Sequence, residues 1–304
     1  MILMKYPKID MHMHCCDRDL MPPFVRGRMS TPEDVRAVYD LIGIERGLWF
    51  PMGASPECAV GTLSVREIRE TARKYKDTIG WWCAPVDPRN IRNDPDSDFD
   101  TLLGWYRELG AVGISEMSAN LPLDDPRFIS LFKACARHHM PVTLHFGISG
   151  RGYGVVDDLH LPRLERVLEQ VPGLILIGHS PIWWNEISTD VTNENREGYV
   201  TGPLRGEGRI QALLRRFPDL YCDLSANSAY AALMRDPNYS CRFLEEFSRQ
   251  VLYGTDIAFP HAAQAAPFIR GMSDFLDTAA ADGRLSRTAY ERICRENAMK
   301  LIEA

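Results

Sequence analysis

The chain has 304 residues, of which 45% are hydrophobic and 25% are charged, and its formal net charge is −6. This composition is typical of a folded protein that buries a large core. The chain has no basic block of the kind that binds nucleic acid and no apolar run of roughly 18 residues that could span a bilayer, so we expect neither partner.

The expected location is the cytoplasm. The first residues lack the charged-then-apolar layout of a signal peptide. The eight cysteines are scattered and include no Cys-x-x-Cys pair, which is typical of free thiols in a reducing compartment. No feature of the sequence fixes the oligomeric state, and a homo-oligomer remains an open alternative.

Strand-like and helix-like runs alternate along the whole chain. We predict eight strands, at 8–14, 46–51, 79–86, 111–117, 141–146, 173–179, 220–224 and 250–256. Helices are predicted at about 31–41, 64–75, 99–109, 125–139, 161–170, 204–216, in a region up to 247, at 262–278 and at 286–302. This alternation predicts one α/β domain over 1–304, a (β/α)8 TIM barrel with loop insertions at its C-terminal face. A doubly wound open sheet is the alternative, but no Gly-rich phosphate motif follows the first strand.

The first strand ends in two histidines, His12 and His14, at positions i and i+2. Alternate residues of a strand point to the same face, so both imidazoles are expected to point the same way. Asp10, on the same strand, is expected to be structural. Two neutral imidazoles that converge on one point are suitable ligands for a divalent transition metal.

Polar residues also end the later strands. They are Glu116 on the fourth strand, His145 on the fifth, His179 on the sixth, Asp223 on the seventh and Asp256 on the eighth. In a parallel barrel these ends open onto one face, so His12, His14, His145 and Asp256 are expected to converge. Such a donor set suits Zn²⁺, with Mn²⁺, Fe²⁺ and Co²⁺ as alternatives, and leaves a position for water. Asp223 is either a hydrogen-bond partner of a ligand histidine or a strand-end cap.

The pattern resembles the amidohydrolase superfamily, in particular its amidohydrolase-related (amidohydrolase 2) group of metal-dependent barrels. That group also contains decarboxylases and hydratases that act on carboxylated substrates. The matching segments are DMHMH at 10–14, TLH at 143–145, IGH at 177–179, LYGTD at 252–256 and ENAMKL at 296–301.

The resemblance implies a set of functional residues. His12, His14, His145 and Asp256 would touch the metal, and His179 would assist catalysis. Many binuclear members of the superfamily carry a carbamylated lysine at the end of the fourth strand, where this chain has Glu116. Either the site is mononuclear, which we favour, or Glu116 supplies the carboxylate that bridges to a second ion.

The predicted function is hydrolysis of an amide, lactone or ester bond of a small molecule. Water activated by the ion attacks the carbonyl, Asp256 carries the proton, and His179 stabilises the oxyanion or orients the water. The alternative is non-oxidative decarboxylation or hydration of a carboxylated aromatic or enol substrate, and a third hypothesis is a ligand-binding barrel without turnover. Candidate substrate contacts are arginines for a carboxylate, aromatic wall residues and a loop histidine: Arg26, Arg28, Arg151, Trp183, Trp184, Phe259 and His261.

Overall fold

A computed structural model describes residues 6–51, 55–58, 63–260 and 267–303. Eight strands form its centre: β1 (Lys8–Met13), β2 (Ile44–Trp49), β3 (Ile79–Ala84), β4 (Ala111–Met117), β5 (Val142–Gly147), β7 (Leu176–His179), β8 (Leu220–Asp223) and β9 (Val251–Leu252). They pair in this order, each parallel to the next. A two-residue strand, β6 (Val155–Val156), pairs with β5 outside this path.

The sheet closes between its first and last strands. Met13 pairs in parallel with Ile257, just after β9, and Met11 N donates to the carbonyl of Tyr253 at 2.9 Å. Asp256 N also donates to the carbonyl of His12 at 2.8 Å. The predicted parallel barrel is therefore confirmed, and its closure brings His12 next to Asp256.

Helices follow the strands. They are α1 (Pro32–Ile42), α2 (Val65–Lys74), α3 (Phe99–Glu108), α4 (Pro126–Arg137), α5 (Pro162–Gln170), α6 (Pro181–Asn185), α7 (Arg209–Arg216), α8 (Ala226–Leu233), α9 (Pro237–Glu246), α10 (Pro267–Ala281), α11 (Arg287–Glu291) and α12 (Asn297–Ile302). A π-helical turn, Arg292–Glu296, joins the last two helices. The predicted start of the helix at 262–278 lies outside the described residues.

Most of the core lies where helices pack on strands, and a second cluster of strand side chains packs against Leu301 and Ile302 of α12. Seven cysteines are buried free thiols, in agreement with the expected lack of disulfides among the described residues. In the described ranges, none of the helices has the length and apolarity that a membrane crossing requires.

Candidate metal centre

His12 and His14 bring their Nε2 atoms to 3.2 Å from each other. The Nδ1 atom of His12 faces Asp223 Oδ2 at 2.7 Å, and that of His14 faces the backbone carbonyl of Phe50 at 3.1 Å. Because both partners are acceptors, a neutral ring carries its hydrogen on Nδ1 and keeps a lone pair on Nε2. Two lone pairs facing each other cannot form a hydrogen bond, but they suit two ligands of one cation.

Two carboxylates lie next to this histidine pair. Asp256 Oδ1 is 3.6 Å from His12 Nε2 and 3.5 Å from His14 Nε2, and Glu116 Oε2 is 3.5 Å from His14 Nε2. Four tetrahedral ligands at the usual distances from a zinc ion are about 3.4 Å apart. His12, His14 and Glu116 therefore offer ligand atoms close enough for one divalent ion, and the separations of Asp256 from both histidines are also those of ligands of one ion.

Asp256 reaches this position through an uncommon backbone conformation. Its φ angle is 56°, in the left-handed region that few residues other than glycine adopt. The hydrogen bond from its backbone N–H to the carbonyl of His12 helps to hold it there. The carboxylate is thereby held beside the end of β1.

The other oxygen of Glu116 faces a second pair of histidines. Glu116 Oε1 accepts a hydrogen bond from His145 Nδ1 at 2.7 Å and lies 3.6 Å from His179 Nε2. Burial opposes ionisation of Glu116, but the imidazoles of His14 and His145 hold the pKa of this carboxyl well below its usual range. Glu116 is therefore an ionised carboxylate between the two halves of the centre.

Asp223 links the buried histidines. Its Oδ2 faces His12 Nδ1 at 2.7 Å, and its Oδ1 faces His179 Nδ1 at 3.1 Å and accepts from Ser225 Oγ at 2.8 Å. Burial would raise the pKa of Asp223, but the two histidines lower it below the usual value. Of the two roles considered from the sequence, its contacts support that of a hydrogen-bond partner of the histidines.

The acidic neighbours also act on His179. Burial alone would lower the pKa of His179, but Asp223, Glu116 and Asp256 outweigh it and raise this pKa to about 9. A bound dication among the same carboxylates would oppose that effect.

Asp10 supports the barrel closure. It accepts hydrogen bonds from the backbone N–H of Thr255 at 2.9 Å, from its hydroxyl, and from Tyr39 at 2.8 Å. Burial raises the pKa of Asp10 to about 6 despite these donors. These contacts join β1 to the segment that carries Asp256.

Two aromatic residues expected to wall the substrate lie in the core. Trp183 and Trp184 are fully buried; Trp183 stacks on Phe146 and covers Gly178, and Trp184 packs on Phe243. Since no surface of either side chain is exposed, they pack the insertion after β7 instead of lining an entrance.

The remaining candidate substrate contacts are exposed, have other partners or cannot be placed. Arg26 and Arg28 are exposed, and Arg26 donates to a backbone carbonyl in its own loop; Arg151 pairs with Glu197 at 3.2 Å. Phe259 is partly buried against the main core. His261 lies outside the described residues.

The sequence reasoning missed two aromatic residues at the centre. The ring of Phe50 lies 4.6 Å from that of His12, and the ring of Tyr153 lies edge-on to His145 at 4.5 Å. Both follow barrel strands, but neither residue type marks a metal site on its own. The glycines on both sides of Tyr153 are a sequence signal for an unusual backbone conformation in its loop.

The sequence model of the amidohydrolase family matches residues 9–303. A 5-carboxyvanillate decarboxylase from Sphingomonas paucimobilis has a similar structure, with a TM-score of 0.62, 15% identity, and 98% of this chain and 99% of that chain covered.

Two further solved structures share the fold. One is a dihydroxybenzoic acid decarboxylase from a Polaromonas species with bound manganese and the inhibitor 2-nitroresorcinol (TM-score 0.59, 15% identity, 98% and 97% covered). The other is a probable 2-pyrone-4,6-dicarboxylic acid hydrolase from Acinetobacter baumannii (TM-score 0.57, 11% identity, 98% and 100% covered). Comparison with curated protein sequences gives no match. The family model matches nearly the whole chain, and the barrel has the fold of these solved structures. This protein therefore belongs to the amidohydrolase family.

Proposed function

We propose that this protein is a metal-dependent hydrolase that cleaves an amide, lactone or ester bond of a small molecule. The observation that carries the proposal is the 3.2 Å separation of the Nε2 atoms of His12 and His14, with carboxylate oxygens at ligand spacing beside them. Imidazole and carboxylate donors suit Zn²⁺, and also Mn²⁺, Fe²⁺ or Co²⁺. A bound divalent ion lowers the pKa of a coordinated water towards about 7 and polarises a carbonyl oxygen.

The residues of the centre have different proposed roles. His12, His14, Asp256 and Glu116 would hold the ion. The second oxygen of Asp256, Oδ2, lies 4.0 Å from His179 Nε2, and the Asp256 side chain is 26% exposed, so it can accept a proton from water and pass it to the leaving group. The Nε2 side of His179 faces the same space. With its Nδ1–H directed to Asp223, the protonated ring of His179 would donate from Nε2 to the oxyanion that forms at the carbonyl.

One ion fits the arrangement better than two. The 2.7 Å hydrogen bond between His145 Nδ1 and Glu116 Oε1 is shorter than the separation of about 3.4 Å expected for two ligands of one ion. An ion shared by Glu116, His145 and His179 would have to replace that bond. In the one-ion arrangement His145 orients Glu116, whereas the family resemblance implied that His145 touches the metal itself.

Arginine is a suitable partner for a substrate carboxylate, so an arginine at the centre would favour decarboxylation of a carboxylated substrate. Arg26 and Arg28 are exposed, and Arg151 is paired with Glu197. Decarboxylation remains the second candidate, because structures with this fold include decarboxylases of dihydroxybenzoate and 5-carboxyvanillate.

The test is a parallel assay of the metal-loaded protein. A panel of lactones, esters and amides is followed by product formation, and a panel of aromatic and enol carboxylates by release of carbon dioxide. Hydrolysis that disappears in His12→Ala and Asp256→Ala is the expected result. The control His139→Asn changes an exposed histidine in a left-handed conformation that asparagine tolerates, and should have no effect. Carbon dioxide as the sole product would establish the second candidate instead.

A further inference from the structure

The metal centre opens on one side. The side chains of His12 and His179 are 0% and 1% exposed, whereas those of His145 and Asp256 are 21% and 26% exposed. Tyr153 stands on the exposed side, edge-on to His145, and is itself 38% exposed. A molecule that approaches the centre from solvent on the His145 side therefore meets the phenol ring.

The backbone around Tyr153 is held independently of its side chain. Asn120 Nδ2 donates to the carbonyls of Ile148 (3.0 Å) and Gly154 (2.9 Å), and its Oδ1 accepts from Gly150 N at 2.9 Å. Gly147 and Gly154 cross so closely that a Cβ on Gly154 would lie 2.7 Å from the Cα of Gly147. The loop therefore presents Tyr153 in a fixed position.

The hydroxyl of Tyr153 points to the proposed ligand carboxylate. It donates to Glu116 Oε2 at 3.3 Å, which is longer than the usual O–H···O distance of about 2.8 Å. The same oxygen faces His14 Nε2. A hydroxyl in this position is also placed to donate to an oxygen of a molecule bound at the centre.

We propose that Tyr153 contacts the substrate, with its ring as one wall of the entrance and its hydroxyl as a hydrogen-bond donor to a substrate oxygen. The proposal rests on the proposed function and deepens it by indicating the substrate class. Aromatic rings pack favourably on other flat groups. The favoured substrates therefore carry a planar or ring-shaped apolar group next to the carbonyl that reacts.

Two hydroxamates provide a test that needs no known substrate. Acetohydroxamate and benzohydroxamate both chelate divalent ions, but only the second has a ring. Each is titrated calorimetrically into the metal-loaded full-length protein, as wild type, Tyr153→Phe and Tyr153→Ala. Tyr6→Phe is the control, because Tyr6 precedes β1 at the opposite end of the barrel. The metal content of every variant is measured in parallel.

The expected pattern separates ring from hydroxyl. Tyr153→Phe should keep the preference of the wild type for benzohydroxamate but bind both compounds about 3–10-fold more weakly, as for one lost hydrogen bond. Tyr153→Ala should also lose most of the preference for benzohydroxamate over acetohydroxamate. The ratio of the two affinities should fall by about 3–10-fold relative to the wild type. Metal content should equal that of the wild type in all variants.

Two results would overturn the proposal. Affinities for both hydroxamates that are unchanged in both variants would show that Tyr153 does not line the entrance. Reduced metal content with an equal loss for both compounds would show that Tyr153 acts only by supporting Glu116. The metal content of the wild type reports separately on the proposed function, which fails if no ion binds.

Discussion

Replacement of Asp223 by asparagine perturbs the metal centre without touching a proposed ligand atom. Asp223 is 1% exposed and accepts from both His12 and His179. An asparagine of the same shape can accept from one ring through its Oδ1, but its NH₂ group faces the other ring. If that ring is His12, the hydrogen must move to Nε2, and the lone pair that faces His14 is lost.

The size of the effect follows from this change of tautomer. Loss of a carboxylate partner of a metal-bound histidine typically weakens metal affinity 10–100-fold. That range corresponds to about 1.4–2.8 kcal/mol of binding free energy. We expect Asp223→Asn to fall within it and to lose turnover in addition, because His179 loses its charged partner as well.

The assay is a competitive titration of Zn²⁺ and Mn²⁺ against a chromophoric chelator, with a thermal melt to check folding. The control is Asp219→Asn, an exposed aspartate just before the same strand. A dissociation constant within twofold of wild type, together with normal turnover, would refute the role of Asp223 in fixing the histidine tautomers.

Three further predictions concern the ion, pH and packing. Glu116→Gln should weaken ion binding at least tenfold in equilibrium dialysis, and more than His145→Ala does; an equal or larger loss in His145→Ala would place that imidazole on the ion. Burial lowers the pKa of His14, but its acidic neighbours outweigh this effect and raise the pKa above the usual value. Since a protonated imidazole cannot bind metal, the affinity for the ion should fall as pH drops through this pKa. A constant metal affinity between pH 5 and 7 would contradict the ligand assignment. Gly178→Ala should lower the free energy of unfolding, measured in urea, by about 1–3 kcal/mol, because the added Cβ would lie 2.3 Å from a buried indole ring. The control Gly198→Ala, whose added Cβ has its nearest contact at 3.7 Å, should lower it by less than about 1 kcal/mol. Equal stability of the two variants would contradict the packing argument.

The barrel and the gathering of polar strand ends could be predicted because they depend on chain order and alternation. Apolar runs of strand length between helical runs indicate parallel strands, and their C-terminal ends meet on one face. This is why His12 and Asp256, 244 residues apart, could be expected to converge. The structure has Asp256 Oδ1 3.6 Å from His12 Nε2.

The details of the centre depend on side-chain directions that no local pattern contains. Sequence order could not show that His145 turns its Nδ1 to Glu116, because ring rotation is set by neighbours from other strands. Trp183 and Trp184 looked like entrance residues because they lie in a polar insertion. In the folded chain they fill space against Phe146 and Phe243, where burial of large aromatic surface stabilises the insertion.

The central claim is that one divalent ion binds between His12, His14, Asp256 and Glu116. Its most direct test is anomalous diffraction from crystals of the metal-loaded protein, collected on both sides of the absorption edge. The account predicts a single peak about 2.0–2.2 Å from the Nε2 atoms of His12 and His14 and from a carboxylate oxygen. No peak at this position, or a pair of peaks with one held by His145 and His179, would contradict it.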